Sequence, residues 1–125
     1  MTKDDLIKRF KIWAVDVVLF TRKFPNEPDF KAIRNQMVRC VPSVAANYRA
    51  ACRGKSTADF INKLKIVEEE LDESMFWLEF VVALEPSLRE DVVSKFKEAN
   101  ELLSIIVATI KTSRTNQEIN KKTKS

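Results

Sequence analysis

Apolar residues recur at spacings of three and four along most of the chain, which is the period of an amphipathic α-helix. Four such stretches are separated by Phe24-Pro25, by the single glycine, Gly54, and by Leu84-Glu85-Pro86. The predicted buried stripes are, in chain order, Leu6, Phe10, Trp13, Val17 and Phe20; Ile33, Met37, Cys40 or Val41, Val44, Tyr48 and Ala51; Phe60, Leu64, Val67, Leu71, Met75 or Ser74, Leu78 and Val82; and Leu88, Val92, Phe96, Ala99, Leu103, Ile106 and Ile110. The pattern therefore predicts four helices.

Each predicted helix begins at a residue whose side chain can accept a hydrogen bond from the first helical turn. These N-caps are Thr2, Asn26, Ser56 and Ser87. Ser87 is followed three positions later by Glu90, which is the spacing of a capping box. Because the connections are short, neighbouring helices should be antiparallel. We therefore expect an all-α domain, an antiparallel up-down-up-down four-helix bundle, over residues 1–115. Residues 116–125 form a polar, basic tail that we expect to be disordered.

Two features depart from a simple bundle pattern. Pro42 lies inside the second predicted helix, where it removes a backbone donor, and it predicts a kink. The first helix is apolar around most of its circumference, which indicates burial on more than one side. In so small a bundle the second side should be another subunit. The residues expected at that oligomer interface are Ile12, Trp13, Val17 and Phe20.

Composition places the chain among globular domains. Its 125 residues are 45% hydrophobic and 32% charged, which suits one domain with its own core. No apolar run is long enough to span a bilayer, and acidic residues at the start do not suit a signal peptide, so we expect a cytoplasmic protein with no membrane partner. Cys40 and Cys52 are twelve residues apart on one helix, about 18 Å by helical rise, too far to form a disulfide within it.

Residues that would carry catalysis are scarce. The chain has no histidine, which removes the commonest general base and the usual zinc and di-iron ligand sets. Its single glycine excludes phosphate-cradling loops. The acidic run from Glu68 to Glu73 could hold a hard cation such as magnesium, although a simple solvated face is the favoured interpretation. We therefore expect no enzyme activity, no catalytic residue, no cofactor and no metal.

Charge is distributed unevenly along the chain. Residues 1–65 hold fourteen Lys and Arg against six acids, whereas residues 66–110 hold three against eleven. One interpretation is that these faces pair across neighbouring helices. A second is a phosphate-binding surface, because clustered Lys and Arg release counterions from nucleic acid. A third is docking of basic on acidic faces between subunits. The candidate nucleic-acid contacts are Arg34, Arg39, Arg49, Arg53 and Lys55.

The second and third helices contain a specific order of residues: Gln36 to Arg39, Ser43 to Arg53, Asp59-Phe60, and Lys63 to Glu73. This order resembles the four-helix-bundle family of the 23S rRNA intervening-sequence protein, to which the accessory variability determinant of diversity-generating retroelements is related. The resemblance implies bacterial origin and a homopentameric ring, and for that relative nucleic-acid binding. The chain has Tyr48-Arg49-Ala50-Ala51 after Asn47, where the commoner pattern has Ile-Ala-Glu-Gly, which indicates a subgroup.

Three hypotheses about function follow. The leading one is a non-enzymatic, oligomeric bundle that binds structured RNA or other nucleic acid through a basic surface. The alternative is a protein-interaction module that docks a protein partner through the acidic third helix and the apolar first helix, with no nucleic-acid role. The third, least favoured, is a metal-dependent enzyme that uses the carboxylate run.

Overall fold

The computed structural model describes residues 1–124 and shows a bundle of four α-helices. These are α1 (Lys3–Thr21), α2 (Pro28–Cys52), α3 (Thr57–Leu84) and α4 (Arg89–Lys124), with a short 3₁₀ turn, Pro86–Leu88, before α4. No strand occurs in this part of the chain. The prediction of an all-α four-helix bundle is confirmed.

Contacts between side chains show that neighbouring helices are antiparallel. Near the start of α1, Arg9 bonds Glu98 on α4, and Lys23, just beyond the end of α1, pairs with Asp91 at the start of α4. The Phe10 ring stacks on the Tyr48 ring of α2 with centroids 4.7 Å apart. The helices pack in the cyclic order α1, α2, α3, α4, so α1 and α3 are diagonal and their backbones do not approach each other.

The core is built from one stripe of each helix, and most predicted positions are buried. The α2 stripe lies in the core at every predicted position. On α3 the buried stripe begins at Ile61 and ends at Val81, one residue away from the predicted Phe60 and Val82, which are only half-buried. On α4 the core residue is Leu102, and the predicted Leu103 is half-buried.

Two predicted N-caps are confirmed. Thr2 and Asp5 exchange reciprocal hydrogen bonds of 3.1 and 3.0 Å at the start of α1. Ser56 Oγ accepts from the Asp59 backbone N–H at the start of α3. Both satisfy donors that the first helical turn leaves unpaired.

The other two N-caps were predicted wrongly. The N-cap of α2 is Glu27, one residue after Asn26, and Pro28 occupies the first helical position, where it needs no donor. Ser87 forms no capping box with Glu90, because Pro86 begins a 3₁₀ turn and the Ser87 hydroxyl donates to Glu85 instead.

Helix α2 continues through Pro42 to Cys52, so the proline does not end it. The kink predicted there stays a prediction. The tail differs from expectation, because α4 remains helical through Lys124 where disorder was predicted; Ser125 lies outside the described residues. The tail contains no proline or glycine, and the Thr123 hydroxyl donates to the Ile119 carbonyl one turn back.

Each described helix falls short of the combined length and apolarity that a bilayer-crossing segment requires.

Candidate nucleic-acid interface

Antiparallel packing gathers positive charge at one end of the bundle. The start of α1 and the turn between α2 and α3 lie together there, as shown by the Lys3 ammonium 4.9 Å from the Phe60 ring centroid. The end of α4 runs to the same end of the bundle along α3, where Glu68 lines a groove with Lys111 and Glu118. Residues 1–8, 49–65 and 108–124 make up this basic end, which holds twelve Lys and Arg against four acids. The opposite, neutral end comprises residues 19–34 and 76–95, with six of each sign.

Three predicted nucleic-acid contacts lie at the basic end and are exposed. Arg49 is in the last turn of α2, while Arg53 and Lys55 flank the glycine of the turn. Gly54 makes this turn tight: a Cβ atom there would lie 2.7 Å from Asp59 Oδ2 and 3.0 Å from the Ala51 carbonyl oxygen. A closely packed turn therefore presents these three cations to solvent.

Arg39 was predicted to contact nucleic acid, but it is engaged within the bundle. Its Nη2 lies 2.6 Å from Glu73 Oε2 on α3, and its Nη1 lies 3.5 Å from Glu70 Oε1. The hydrogen bonds with Glu73 raise the pKa of the Arg39 guanidinium above its ordinary value. Arg39 thus links α2 to α3 at mid-height, and two carboxylates offset its charge.

Arg34 is also separated from the other candidates. It is half-buried at the neutral end, where it lines a groove with Thr21, Phe24 and Phe30 at the junction of α1 and α2. It lies about 22 Å along the α2 axis from Arg49, by helical rise. The predicted five-residue set is therefore split, with three members at the basic end.

The predicted oligomer interface is corrected at three of its four residues. Trp13, Val17 and Phe20 are buried in the core of their own chain. The Trp13 indole N–H donates to the Lys95 carbonyl oxygen at 3.0 Å. Only Ile12 is exposed, at 70%. The helix does carry apolar residues outside its buried stripe, as the sequence indicated. That a second subunit covers them stays a prediction.

The bundle has two exposed apolar faces, and of their residues sequence reasoning placed only Ile12 at an interface. The α1 face consists of Ile12, Val15 and Leu19, which are 47% to 70% exposed. The α3 face, which is 40% to 51% exposed, consists of Phe76, Phe80 and Leu84. The available signal on α3 was a repeat of large apolar residues every four positions, outside the predicted stripe.

The acidic run on α3 offers no cluster for a cation. Glu70 and Glu73 bind Arg39, and Glu73 also accepts from the Trp77 indole N–H at 3.3 Å. Across the part of the chain that the structure describes, no three His, Cys, Asp or Glu side chains are arranged to hold a metal ion. Burial raises the pKa of the Cys40 thiol, which disfavours the reactive thiolate form.

Comparison with known proteins agrees with the four-helix fold. No curated protein matches the chain. A crystal structure of a protein of unknown function from the S23 ribosomal protein family of Bacteroides thetaiotaomicron matches with a TM-score of 0.80 and 31% identity, covering 89% of this chain and 99% of that one. The family model described as 23S rRNA-intervening sequence protein matches residues 4–108. The chain therefore belongs to the 23S rRNA-intervening sequence protein family.

Proposed function

We propose that this protein is a non-enzymatic, oligomeric four-helix bundle that binds structured RNA or another nucleic acid through its basic end. The observation that carries the proposal is the concentration of charge: twelve Lys and Arg against four acids at one end, with none of this excess at the other. A surface of this kind attracts phosphates, because each cation that replaces condensed counterions increases affinity at low salt.

The surroundings of the aromatic rings indicate how such binding would work. Next to the basic end, Tyr48 is buried against Phe10, and within it Phe60 is half-buried beneath the Lys3 ammonium. Neither ring is placed to stack on an unpaired base, which is the usual means of reading single strands. Contacts should therefore be to phosphates, and the shape of the nucleic acid should matter more than its sequence.

A pair of charge-matched variants tests the location of the site. Arg49→Gln/Arg53→Gln removes two cations from the basic end, and Lys31→Gln/Arg34→Gln removes two from the neutral end of the same helix. The first variant should bind a structured RNA more weakly, with the slope of log Kd against log salt reduced by about two. The second should resemble the unmodified protein, with thermal denaturation confirming that both are folded.

Two results would contradict the proposed site. Undetectable binding of structured RNA at low salt would remove the nucleic-acid function. Equal losses in the two variants would mean that total charge, and not the basic end, determines affinity. The oligomeric part of the proposal is tested by light scattering at tens of micromolar, where a 14.4 kDa monomer would contradict it.

A second candidate function is a scaffold that docks a protein partner. The two exposed apolar faces favour it, because apolar stretches of this kind are typical of protein contacts. Recovery of one specific protein that resists nuclease treatment, together with no affinity for RNA, would support this candidate over the first.

A further inference from the structure

The α1 face is a continuous apolar stripe on the outside of the bundle. Ile12, Val15 and Leu19 are spaced by three and four residues, so they lie on one side of α1, opposite the buried Phe10 and Val17. The apolar spacing of this outward stripe is the same as that of the buried stripe. Because the outward stripe has no cover within its own chain, only contact with another chain can bury it.

The α3 face has the same character and is more aromatic. Phe76 and Phe80 are in contact with each other, with ring centroids 5.8 Å apart. The half-buried Trp77 packs edge-on against both rings, at 5.0 and 5.7 Å. Leu84 extends the stripe to the end of the helix. Clustered aromatic side chains of this kind are enriched at the centres of protein interfaces.

The two faces lie on opposite sides of the bundle at the same height. Opposite placement follows because α1 and α3 are diagonal. Their height is set by α4: Trp13 bonds Lys95 of α4, while Glu79 and Val82 of α3 line a groove with Phe96 of α4. Positions near 14 on α1 and near 80 on α3 are therefore level. Both helices also run away from the basic end.

Charges next to the faces are complementary. Lys8 precedes Ile12 by one turn of α1, in line with the α1 face. Glu69 and Glu73 precede Phe76 by two turns and one turn of α3, in line with the α3 face. Pairing two α1 faces in parallel would oppose lysine to lysine, and pairing two α3 faces would oppose glutamate to glutamate. Among pairings with parallel helices, only the mixed pairing places Lys8 beside the glutamates of α3.

The geometry points to a head-to-tail contact in which the α1 face of one copy docks on the α3 face of a second copy, with the two helices parallel. This inference rests on the oligomeric part of the proposed function and names its interface. Ile12, Val15 and Leu19 meet Phe76, Phe80 and Leu84, and Lys8 approaches Glu69. Each docked pair leaves one α1 face and one α3 face free, so the contact repeats until a ring closes or a filament grows.

Two blocking variants test this contact when they are mixed. Val15→Asp blocks the α1 face and leaves the α3 face intact, and Phe80→Asp does the reverse. Each alone should be a monomer by light scattering at about 100 µM, a concentration at which a contact with a Kd of about 1 µM would be largely formed. An equimolar mixture should give a 1:1 heterodimer, because one intact face of each kind remains and the blocked faces prevent further growth.

Other results discriminate between the alternatives. Suppose first that the unmodified protein is oligomeric. If either single variant is then also oligomeric, or if the mixture of the two variants is monomeric, the α1-to-α3 contact is wrong. The oligomeric part of the proposed function still stands in that case. If the unmodified protein is monomeric, both the α1-to-α3 contact and the oligomeric part of the proposed function are wrong.

The matched control is Ile119→Asp, at an exposed apolar residue of α4 away from both faces. This variant should have the same mass as the unmodified protein, and circular dichroism verifies that every variant is folded.

A charge exchange provides an independent measurement. Lys8→Glu should raise the concentration of half-assembly by about fivefold, the effect of one exposed ion pair. The double variant Lys8→Glu/Glu69→Lys should restore assembly of the unmodified protein. A double variant no better than the single one would mean that these two residues do not meet.

Discussion

Trp13 and Ile12 are adjacent in the chain and have opposite surroundings. The Trp13 ring lies in the core, and its indole N–H bonds the Lys95 carbonyl oxygen on α4. The Ile12 side chain extends from the outer side of the same helix. One residue fixes α1 to its own bundle, and its neighbour is available to another copy.

Trp13→Phe should destabilise the fold without altering assembly. The substitution removes an indole hydrogen bond and leaves unfilled volume in the core, so the free energy of unfolding should fall by about 2–3 kcal/mol. Chemical denaturation measures the loss, and light scattering should give an unchanged mass. A reduced mass with unaltered stability would instead place Trp13 at a subunit interface.

The identity of the inward-facing residues on α1 illustrates how far sequence alone can go. Helical periodicity correctly predicts the stripe through Phe10, Trp13, Val17 and Phe20. It also shows that the helix is apolar on other sides. It cannot assign Val15 and Leu19 to an outer face, because which side meets α2 and α4 is decided by packing between helices and not by the local pattern.

At the scale of elements, α1 and α4 are joined by a compact ion-pair cluster. Arg9 donates to Glu98 through two nitrogens, at 2.7 and 2.6 Å, and to Glu101 at 2.7 Å. The hydrogen bonds from Arg9 lower the pKa of the Glu98 carboxyl below its ordinary value. A carboxyl whose pKa is lower in the folded state than in the unfolded state stabilises the fold at pH values above the unfolded-state pKa. That contribution is lost as the pH falls through the folded-state pKa.

Glu98→Gln should therefore remove a pH-dependent part of stability. Near pH 7 the variant should be less stable than the unmodified protein by about 1 kcal/mol, the upper range for a partly exposed pair. The difference should shrink as pH falls below about 4.3, the ordinary value for glutamate. Denaturation at pH 7 and pH 3 measures it, with Glu118→Gln on the same helix as control. A difference that does not change with pH would contradict the ion-pair explanation.

Element boundaries were predictable where a single local interaction decides them. Ser56 caps α3 as expected, with its Oγ accepting from the Asp59 backbone N–H. Ser87 fits the capping pattern equally well by sequence, yet its hydroxyl bonds Glu85 within the turn that Pro86 begins. Competition between two local partners is settled by backbone geometry, which residue spacing does not contain.

At the scale of the whole molecule, the distribution of charge depends on topology. The sequence places an excess of cations before residue 66 and another after residue 110. Only antiparallel packing unites them at one end, because it brings the start of α1 and the end of α4 to the turn after α2. The same packing places Glu70 and Glu73 beside Arg39, which linear charge counting could not foresee.

Parallel docking of copies would direct all basic ends to the same side of the assembly. A nucleic acid long enough to contact several ends would then bind with avidity. Val15→Asp, which keeps the basic end intact, should lower affinity for a long structured RNA by about 100-fold. It should leave affinity for a short hairpin, sized for one copy, nearly unchanged. Equal affinity of variant and unmodified protein for the long RNA would contradict a multivalent mode.

The placement of the two tryptophans gives the protein an internal optical reporter. Trp13 is enclosed in the core in every state of assembly, so its emission should stay constant. Trp77 packs at the edge of the α3 face, half-buried, in contact with Phe76 and Phe80. When a second copy excludes water from that face, the emission of Trp77 should move to shorter wavelength. Fluorescence during dilution would thus follow docking without any attached label.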